Sequence, residues 1–290
     1  MTPSHRHTPH PCGSPDHHRE HGDGGQAEIL DLDAEVLAEH IASITAWLPL
    51  KAVPRRIVDL GCGTGAGTFA LLERFPGAHV TAVDASAGHL RLLDERASAR
   101  GLRDRVRTVR ADLDISRWPE VGTPDLVWAS ASMHHLADPV RALARVHELL
   151  APGGLFAVVE LDGFPRFLPP GAPEGRPGLE ERAHRATEGL HAAHVPHRGA
   201  DWARMLAAAG FTVEAERTIT VSIDGSRSQA VGRYARRGLQ GLRGAAAPAL
   251  PPEDLAALDE LLDDRSPRGI LHRDDLAVRT ERTVWAARRT

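Results

Sequence analysis

Between residues 56 and 160 short apolar runs alternate strictly with helix-periodic segments, which constrains the fold more than any other feature of the chain. The runs at 56–60, 79–83, 105–110, 125–130 and 154–160 read as strands, and the segments at 66–75, 86–100 and 138–150 as helices. Successive strands joined through helices return parallel to one another, so this order specifies a parallel sheet with helices on both faces. Pro152-Gly153-Gly154 stops the last of these helices and turns the chain into the next strand.

The first strand runs into Val58-Asp59-Leu60-Gly61-Cys62-Gly63-Thr64-Gly65. Glycines at alternate positions permit positive φ and let the backbone approach a ligand closely. Asp84 ends the second strand about 20 residues on, where a carboxylate accepts hydrogen bonds from two ribose hydroxyls. The dinucleotide fingerprint counted from Gly61 and Gly63 needs a third glycine where Ala66 stands, so no pyrophosphate cradle is expected. An adenosine-containing ligand other than a dinucleotide fits this pattern.

Together with Ala82-Val83-Asp84, Arg110-Ala111-Asp112-Leu113, Asp125 to Ser130 and Leu149-Leu150-Ala151-Pro152-Gly153-Gly154, these residues resemble in order and spacing the class I S-adenosylmethionine-dependent methyltransferases. The likeness is strong over 56–160 and looser over 200–221 and 281–288. It implies an α/β fold: a Rossmann-like, seven-stranded, mostly parallel sheet with helices on both faces, an antiparallel last strand and helical cap insertions. It also implies S-adenosyl-L-methionine as cofactor and an acceptor that is a small molecule. Residue by residue, Asp59 would lie near the methionine amino end, and Gly61, Gly63 and Gly65 would form the loop against methionine and ribose. Cys62 would pack within that loop as a small apolar residue. Asp84 would take the ribose hydroxyls, although an aspartate there also suits a helix N-cap. Asp112 would accept from the adenine amino group, with Asp114 able to substitute in the same loop. The Leu113 amide would serve a ring nitrogen, Ala85 and Leu113 would flank the adenine faces, and Ala129 or Ser130 would border the sulfonium.

His134 and His135 follow the fourth strand, at the carboxyl edge of the sheet where substrates sit, and an imidazole there can deprotonate a hydroxyl acceptor. The resemblance gives the double histidine before Leu-x-Asp-Pro a structural role as well. Glu160, ending the fifth strand, faces the same edge and is the third catalytic candidate, against an ordinary capping or solvated carboxylate. His191, His194 and His197 fall at helical spacing, but Val195-Pro196 interrupts that helix, so a polar lid is expected and no metal site. Trp47, Trp128 and Trp202 are candidates for pocket walls or core.

Residues 1–26 are rich in His, Pro, Gly and Asp with few large apolar side chains and read as a disordered tail, a loose chelator at most. A cap helix is expected at 28–48 and the cofactor-binding core at 55–162. A proline-rich lid follows at 163–199, then continued core at 200–221, a helical cap insertion at 222–278 and a last strand at 281–288. The chain has 290 residues and a net charge of −4, which gives no global attraction to nucleic acid or an anionic membrane. Ala129-Ser130-Ala131-Ser132 stands where base-flipping enzymes need a stacking aromatic, so no nucleic-acid partner is expected. No apolar stretch is long enough to span a bilayer and only two cysteines occur, which points to the cytoplasm; a homodimer is compatible with all of this.

Overall fold

The computed structural model describes residues 17–115, 118–190 and 195–290, with side chains from residue 25 onward. Strands β1 (Arg56–Leu60), β2 (His79–Asp84), β3 (Val106–Arg110), β4 (Leu126–Ser130), β5 (Leu155–Leu161), β6 (Phe211–Asp224) and β7 (Ala277–Arg289) form one sheet in the order β3-β2-β1-β4-β5-β7-β6. β1 to β5 pair in parallel, and β7 runs antiparallel to both β5 and β6. This is the expected Rossmann-like sheet with a single reversed strand. The strand order changes direction beside β1, so the loops leaving β1 and β4 diverge to opposite faces and open a crevice at their carboxyl ends.

Among the described residues the helices are α1 (His17–Val36), α2 (Ala38–Trp47), α3 (Ala66–Arg74), α4 (Ala87–Ala99), α5 (Pro139–Leu149), α6 (Leu179–Ala186), α7 (Trp202–Ala208), α8 (Gln229–Ala246) and α9 (Pro252–Leu262). Central strands buried on both faces are continuous apolar runs, and alternate residues serve opposite layers. Val58, Val127, Phe156 and Val158 pack with Leu143 of α5 and Trp202 of α7. Ile57, Leu126, Trp128 and Ala157 pack on the other face with Ile44 of α2 and Leu71 of α3. Local signals start the helices: the Asp138 side chain accepts from the Arg141 amide at 3.0 Å beside Pro139, and Asp201 accepts from the Arg204 amide at 2.9 Å.

Outside the sheet, a second apolar core joins Leu32 of α1, Phe167, Leu179 of α6, Tyr234 and Leu239 of α8, Leu258 of α9 and Val278 of β7. The segments read as insertions therefore pack on one another and on α1. Several boundaries differ from expectation. The helix expected at 28–48 is two helices that meet at Leu37, a fully buried residue with φ −98° and ψ 11° that packs with Ile41 and with Val221 of β6. α1 begins at His17, inside the tail expected at 1–26. Residues 1–16 of that tail, with His5, His7, His10 and Cys12, lie outside the described residues, as do the side chains of His17, His18 and His21. β6 and β7 are longer than the periodicity implied, because their long mutual pairing, Phe211↔Arg289 to Asp224↔Ala277, carries them beyond the sheet's edge. Among the described residues no helix is long and apolar enough to cross a membrane.

The contact between α3 and β4 is close enough to test. A Cβ added at Gly67 would lie 2.6 Å from Nε1 of the buried Trp128, with Asp59 Oδ2 at 3.2 Å. Overpacking of this kind costs about 1–3 kcal/mol. Gly67→Ala is expected to lower the unfolding free energy by that amount in urea titration; an unchanged midpoint would contradict this packing.

Candidate functional site at the carboxyl edge of the sheet

The loop after β1 is shaped by its glycines: Gly61, Gly63 and Gly65 take φ of 69°, 53° and 101°. At Gly61 a side chain is excluded twice over, since a Cβ would lie 2.4 Å from the Ser132 Cβ. Ser132 in turn ties the loop after β4 to β1, its hydroxyl donating to the Leu60 carbonyl at 2.8 Å. The Gly61 and Cys62 amides donate to the Val83 carbonyl at 2.8 and 3.0 Å, so this loop folds back over the tip of β2. There Asp84 Oδ2 accepts from the Gly63 amide at 2.9 Å and Oδ1 from the Ser86 amide at 2.8 Å, while His89 Nδ1 lies 3.4 Å from Oδ1. Burial raises the Asp84 carboxyl, but the bonds from His89, Ser86 and Gly63 outweigh it and hold the group below its usual range, as a carboxylate. The N-cap weighed for this region is made by Ser86, whose hydroxyl accepts from the His89 amide at 3.2 Å.

A cavity of about 400 Å³ opens beneath this loop. Asp59, Gly61, Cys62, Gly63 and Asp84 line one part of it, and Ala85, Asp112, Leu113, Ser130 and His135 another. Gly65 and Ala129 do not line it; Gly65 instead packs against Phe69 and Leu93, and Ala129 is fully buried in the core. A larger open groove of about 750 Å³ lies between α1, α2 and α3 and shares Ile41, Thr64 and Ala66 with this cavity.

The deep end of the cavity is polar and only partly satisfied. Asp59 is buried, accepts from the Thr68 hydroxyl at 2.6 Å, and is pushed up to about 7 by burial, with the Asp84 charge adding to the shift. Trp128, read as wall or core, is both: it is buried, lines the cavity, and its Nε1 is a buried donor without a partner. A buried acceptor beside an orphaned donor fits a zwitterionic ammonium and carboxylate. Together with the paired oxygens of Asp84, this end suits the methionine and ribose parts of S-adenosylmethionine. The Cys62 thiol is pushed up by burial and by Asp59 and Asp84, and it packs without a role as thiolate. Asp112 Oδ1 accepts from the Asp114 amide at 2.8 Å, and Asp114 Oδ1 accepts from the Ala137 amide at 2.9 Å, so the alternative carboxylate is committed to the next loop.

At the other end the three catalytic candidates separate. Glu160 and His134 are buried and do not line the cavity, whereas His135 is exposed and does. Glu160 Oε2 pairs with His134 Nδ1, Glu160 Oε1 accepts from the Met133 amide at 2.9 Å, and His134 Nε2 lies 3.1 Å from His135 Nε2. Of the histidines in the lid, His191 and His194 lie outside the described residues.

Several lining residues were not anticipated from sequence: Gln26, Leu30 and Asp33 of α1, His89 of α4 and Arg282 of β7. Arg282 carries a signal, since it is a charged residue heading the apolar run Val284-Trp285-Ala286-Ala287. Its Nη2 bonds both Asp33 oxygens at 2.6 and 2.8 Å, and Tyr234 donates to Asp33 Oδ1 at 2.6 Å.

A family model described as a methyltransferase domain matches residues 58–156. That stretch, about a third of the chain, is what resembles a methyltransferase domain. It is 44% identical over 105 residues to trans-aconitate 2-methyltransferase of Acidovorax sp. (strain JS42), covering 36% of this chain and 38% of that protein. It is 37% identical over 137 residues to demethylmenaquinone methyltransferase of Thermus thermophilus, covering 47% of this chain and 57% of that protein. The chain thus spans about two fifths to just under three fifths of the length of these two relatives. In fold it resembles the YcgJ protein of Bacillus subtilis, with a TM-score of 0.53 at 16% identity over 86% of this chain and 98% of the other. It also resembles the cyclase SpnF, with a TM-score of 0.51 at 19% identity over 87% and 80%.

Asp59 gives the site a pH signature. The folded protein keeps this proton to about 7, whereas an unperturbed aspartic acid loses it near 3.8. The folded state therefore binds more protons between these values, and stability falls as pH rises through that window. Asp59→Asn is expected to flatten the decline in melting temperature between about pH 4 and 7. Identical pH profiles for both proteins would contradict the assignment.

Proposed function

We propose that this chain transfers the methyl group of S-adenosyl-L-methionine to the O, N or C atom of a small-molecule acceptor by in-line displacement. The observation that carries the reading is the Asp84 carboxylate, tied by backbone amides into a glycine loop above a cavity whose deep end holds Asp59 and Trp128. The cofactor supplies an activated methyl on a sulfonium, so the hard chemistry is not the protein's. The chain's own residues align, desolvate and move a proton. Asp84 receives the ribose hydroxyls. Asp59 and the Trp128 indole receive the amino-acid end, with Gly61, Cys62, Gly63 and Gly65 shaping the loop around it. Asp112 and the Leu113 amide read the adenine between Ala85 and Leu113, and Ser130 borders the sulfonium. His134, His135 and Glu160 supply the acid–base group. α1, the segment 163–199 and the insertion 222–278 cap the cavity and set acceptor choice.

The names of the relatives, which act on trans-aconitate and demethylmenaquinone, support a small-molecule acceptor. Secondary metabolism, a cytoplasmic location, the absence of nucleic-acid or membrane partners and a homodimeric state complete the proposal. A second reading keeps cofactor binding without methyl transfer, for cyclisation, regulation or assembly. The shared fold with the cyclase SpnF favours keeping it in view.

Hydrogen bonds to a charged group are worth about 1.5–3 kcal/mol each. Asp84→Ala is therefore expected to weaken S-adenosylmethionine binding in calorimetry by about a hundredfold or more. Unchanged binding would remove the cofactor assignment. Tight binding without S-adenosylhomocysteine formed from any acceptor would favour the second reading.

A further inference from the structure

The order of the strands spreads the cofactor contacts of the reading above along one edge of the sheet. Asp112 follows β3, Asp84 ends β2, Asp59 lies in β1 and Ser130 ends β4, so contacts to adenine, ribose, methionine and sulfonium run in that order along the edge. The next strands, β5 and β7, lie beyond the sulfonium end, on the side left for an acceptor. β7 runs antiparallel to β5 and pairs Arg282 with Leu161, which puts Arg282 at this carboxyl edge. Among the described residues it is the one Arg or Lys that lines the cavity.

Arg282 is buried, yet its donors are only partly used. A guanidinium presents five N–H donors in a rigid fork and has no acceptor. Nη2 bonds both oxygens of Asp33, which the Tyr234 hydroxyl holds in turn. Nε is buried without a partner among the described residues, and the hydrogen bonds of the side chain do not involve Nη1. Burial pulls the guanidinium down, but Asp33, Tyr234 and Glu160 outweigh it and hold the group above its usual range, as a cation. A buried donor without an acceptor is costly, and a ligand oxygen in the cavity would supply one.

The chemistry of that oxygen follows from the charges around it. Asp33 already offsets the guanidinium, and Asp59, Asp84, Asp112 and Asp114 line the same cavity. A cationic cofactor suits this field, and an additional carboxylate does not. A carbonyl oxygen offers two lone pairs and brings neither a proton to place nor a net charge.

We propose that Arg282 is a specificity-determining residue that holds the acceptor through a carbonyl oxygen, and that the acceptor is a neutral carbonyl compound. Its role as the acceptor's anchor rests on the methyl-transfer reading; the uncommitted donors of the guanidinium do not.

Matched ligands on the full chain test this. Methyl ketones, the ethyl analogues that lack the carbonyl, and the corresponding carboxylic acids, each on phenol, naphthol and cyclohexane scaffolds, are titrated by ligand-observed NMR with and without S-adenosylhomocysteine. A hydrogen bond to a charged donor is expected to make at least one ketone bind about tenfold or more tighter than its ethyl analogue, and tighter than its acid. Ketones that bind no better than their ethyl analogues, absence of binding included, overturn the proposal, as do acids that bind best. Arg282→Lys keeps a charge beside Asp33 and loses the fork. It is expected to abolish the ketone preference while the ethyl analogues and S-adenosylhomocysteine bind as before. Equal losses for ketone and ethyl analogue would mark Arg282 as an anchor of α1 only and overturn the assignment. Should that variant not fold, Arg282→Met combined with Asp33→Leu removes both buried charges together and is read in the same way. Failure of the wild-type protein to bind S-adenosylmethionine in calorimetry is separate: it sinks the methyl-transfer reading, and the ketone preference measured without cofactor still decides whether the carbonyl site exists.

Discussion

The carboxylate of Asp84 holds the carboxyl edge of this sheet together. Amides from two different loops converge on it, Gly63 on one oxygen and Ser86 on the other, and His89 Nδ1 lies 3.4 Å from the second. A carboxylate offers about four lone-pair directions, so one on Oδ2 remains for a ligand hydroxyl, and an adjacent hydroxyl would reach Oδ1 in place of the long 3.4 Å His89 contact. The positive-φ glycines exist to bring those amides close. The loop after β4 then closes against them, which is why Ser132 and Gly61 meet with no space for a side chain between them.

Above this platform, α1 is fixed by two aspartates that serve different elements. Asp31 accepts from the Thr64 hydroxyl at 2.7 Å and pairs with Arg96 of α4 at 2.6 Å, anchoring the helix to the glycine loop. Asp33 binds Arg282 of β7 and Tyr234 of α8. The second anchor is the more buried, with side-chain exposures of 7% for Arg282 and 22% for Asp33. Removing one partner of such a pair leaves an uncompensated charge, at a cost of about 3–5 kcal/mol. Binding energy and specificity thus depend on contacts between segments that are far apart in sequence.

That separation explains what could be read in the chain. The strand–helix alternation revealed the sheet and its helices because each central strand is buried on both faces and each helix on one, so local pattern and tertiary environment agree. Asp59, Gly61, Gly63 and Asp84 were legible because they lie at the carboxyl ends of the adjacent strands β1 and β2 and on the loop leaving β1, where spacing along the chain is spacing in the site. Leu30, Asp33 and His89 were not, since they reach the cavity from α1 and α4 through contacts that no local pattern encodes. The break at Leu37 was hidden for the opposite reason. Its apolar periodicity continues through the turn, so the sequence pattern carries no mark of the break. His134, His135 and Glu160 were recognisable as candidates, but their order from interior to cavity emerges only once β4 and β5 lie side by side.

That the β1–β4 crevice is a cofactor site organised by Asp84 is tested most directly by a crystal structure of the full chain grown with S-adenosylhomocysteine. Both ribose hydroxyls are expected on the Asp84 carboxylate, the amino-acid end beside Asp59 and Trp128, and the sulfur on the side of the cavity facing His135. Ligand density in the groove between α1, α2 and α3, or a ribose held away from Asp84, would contradict it.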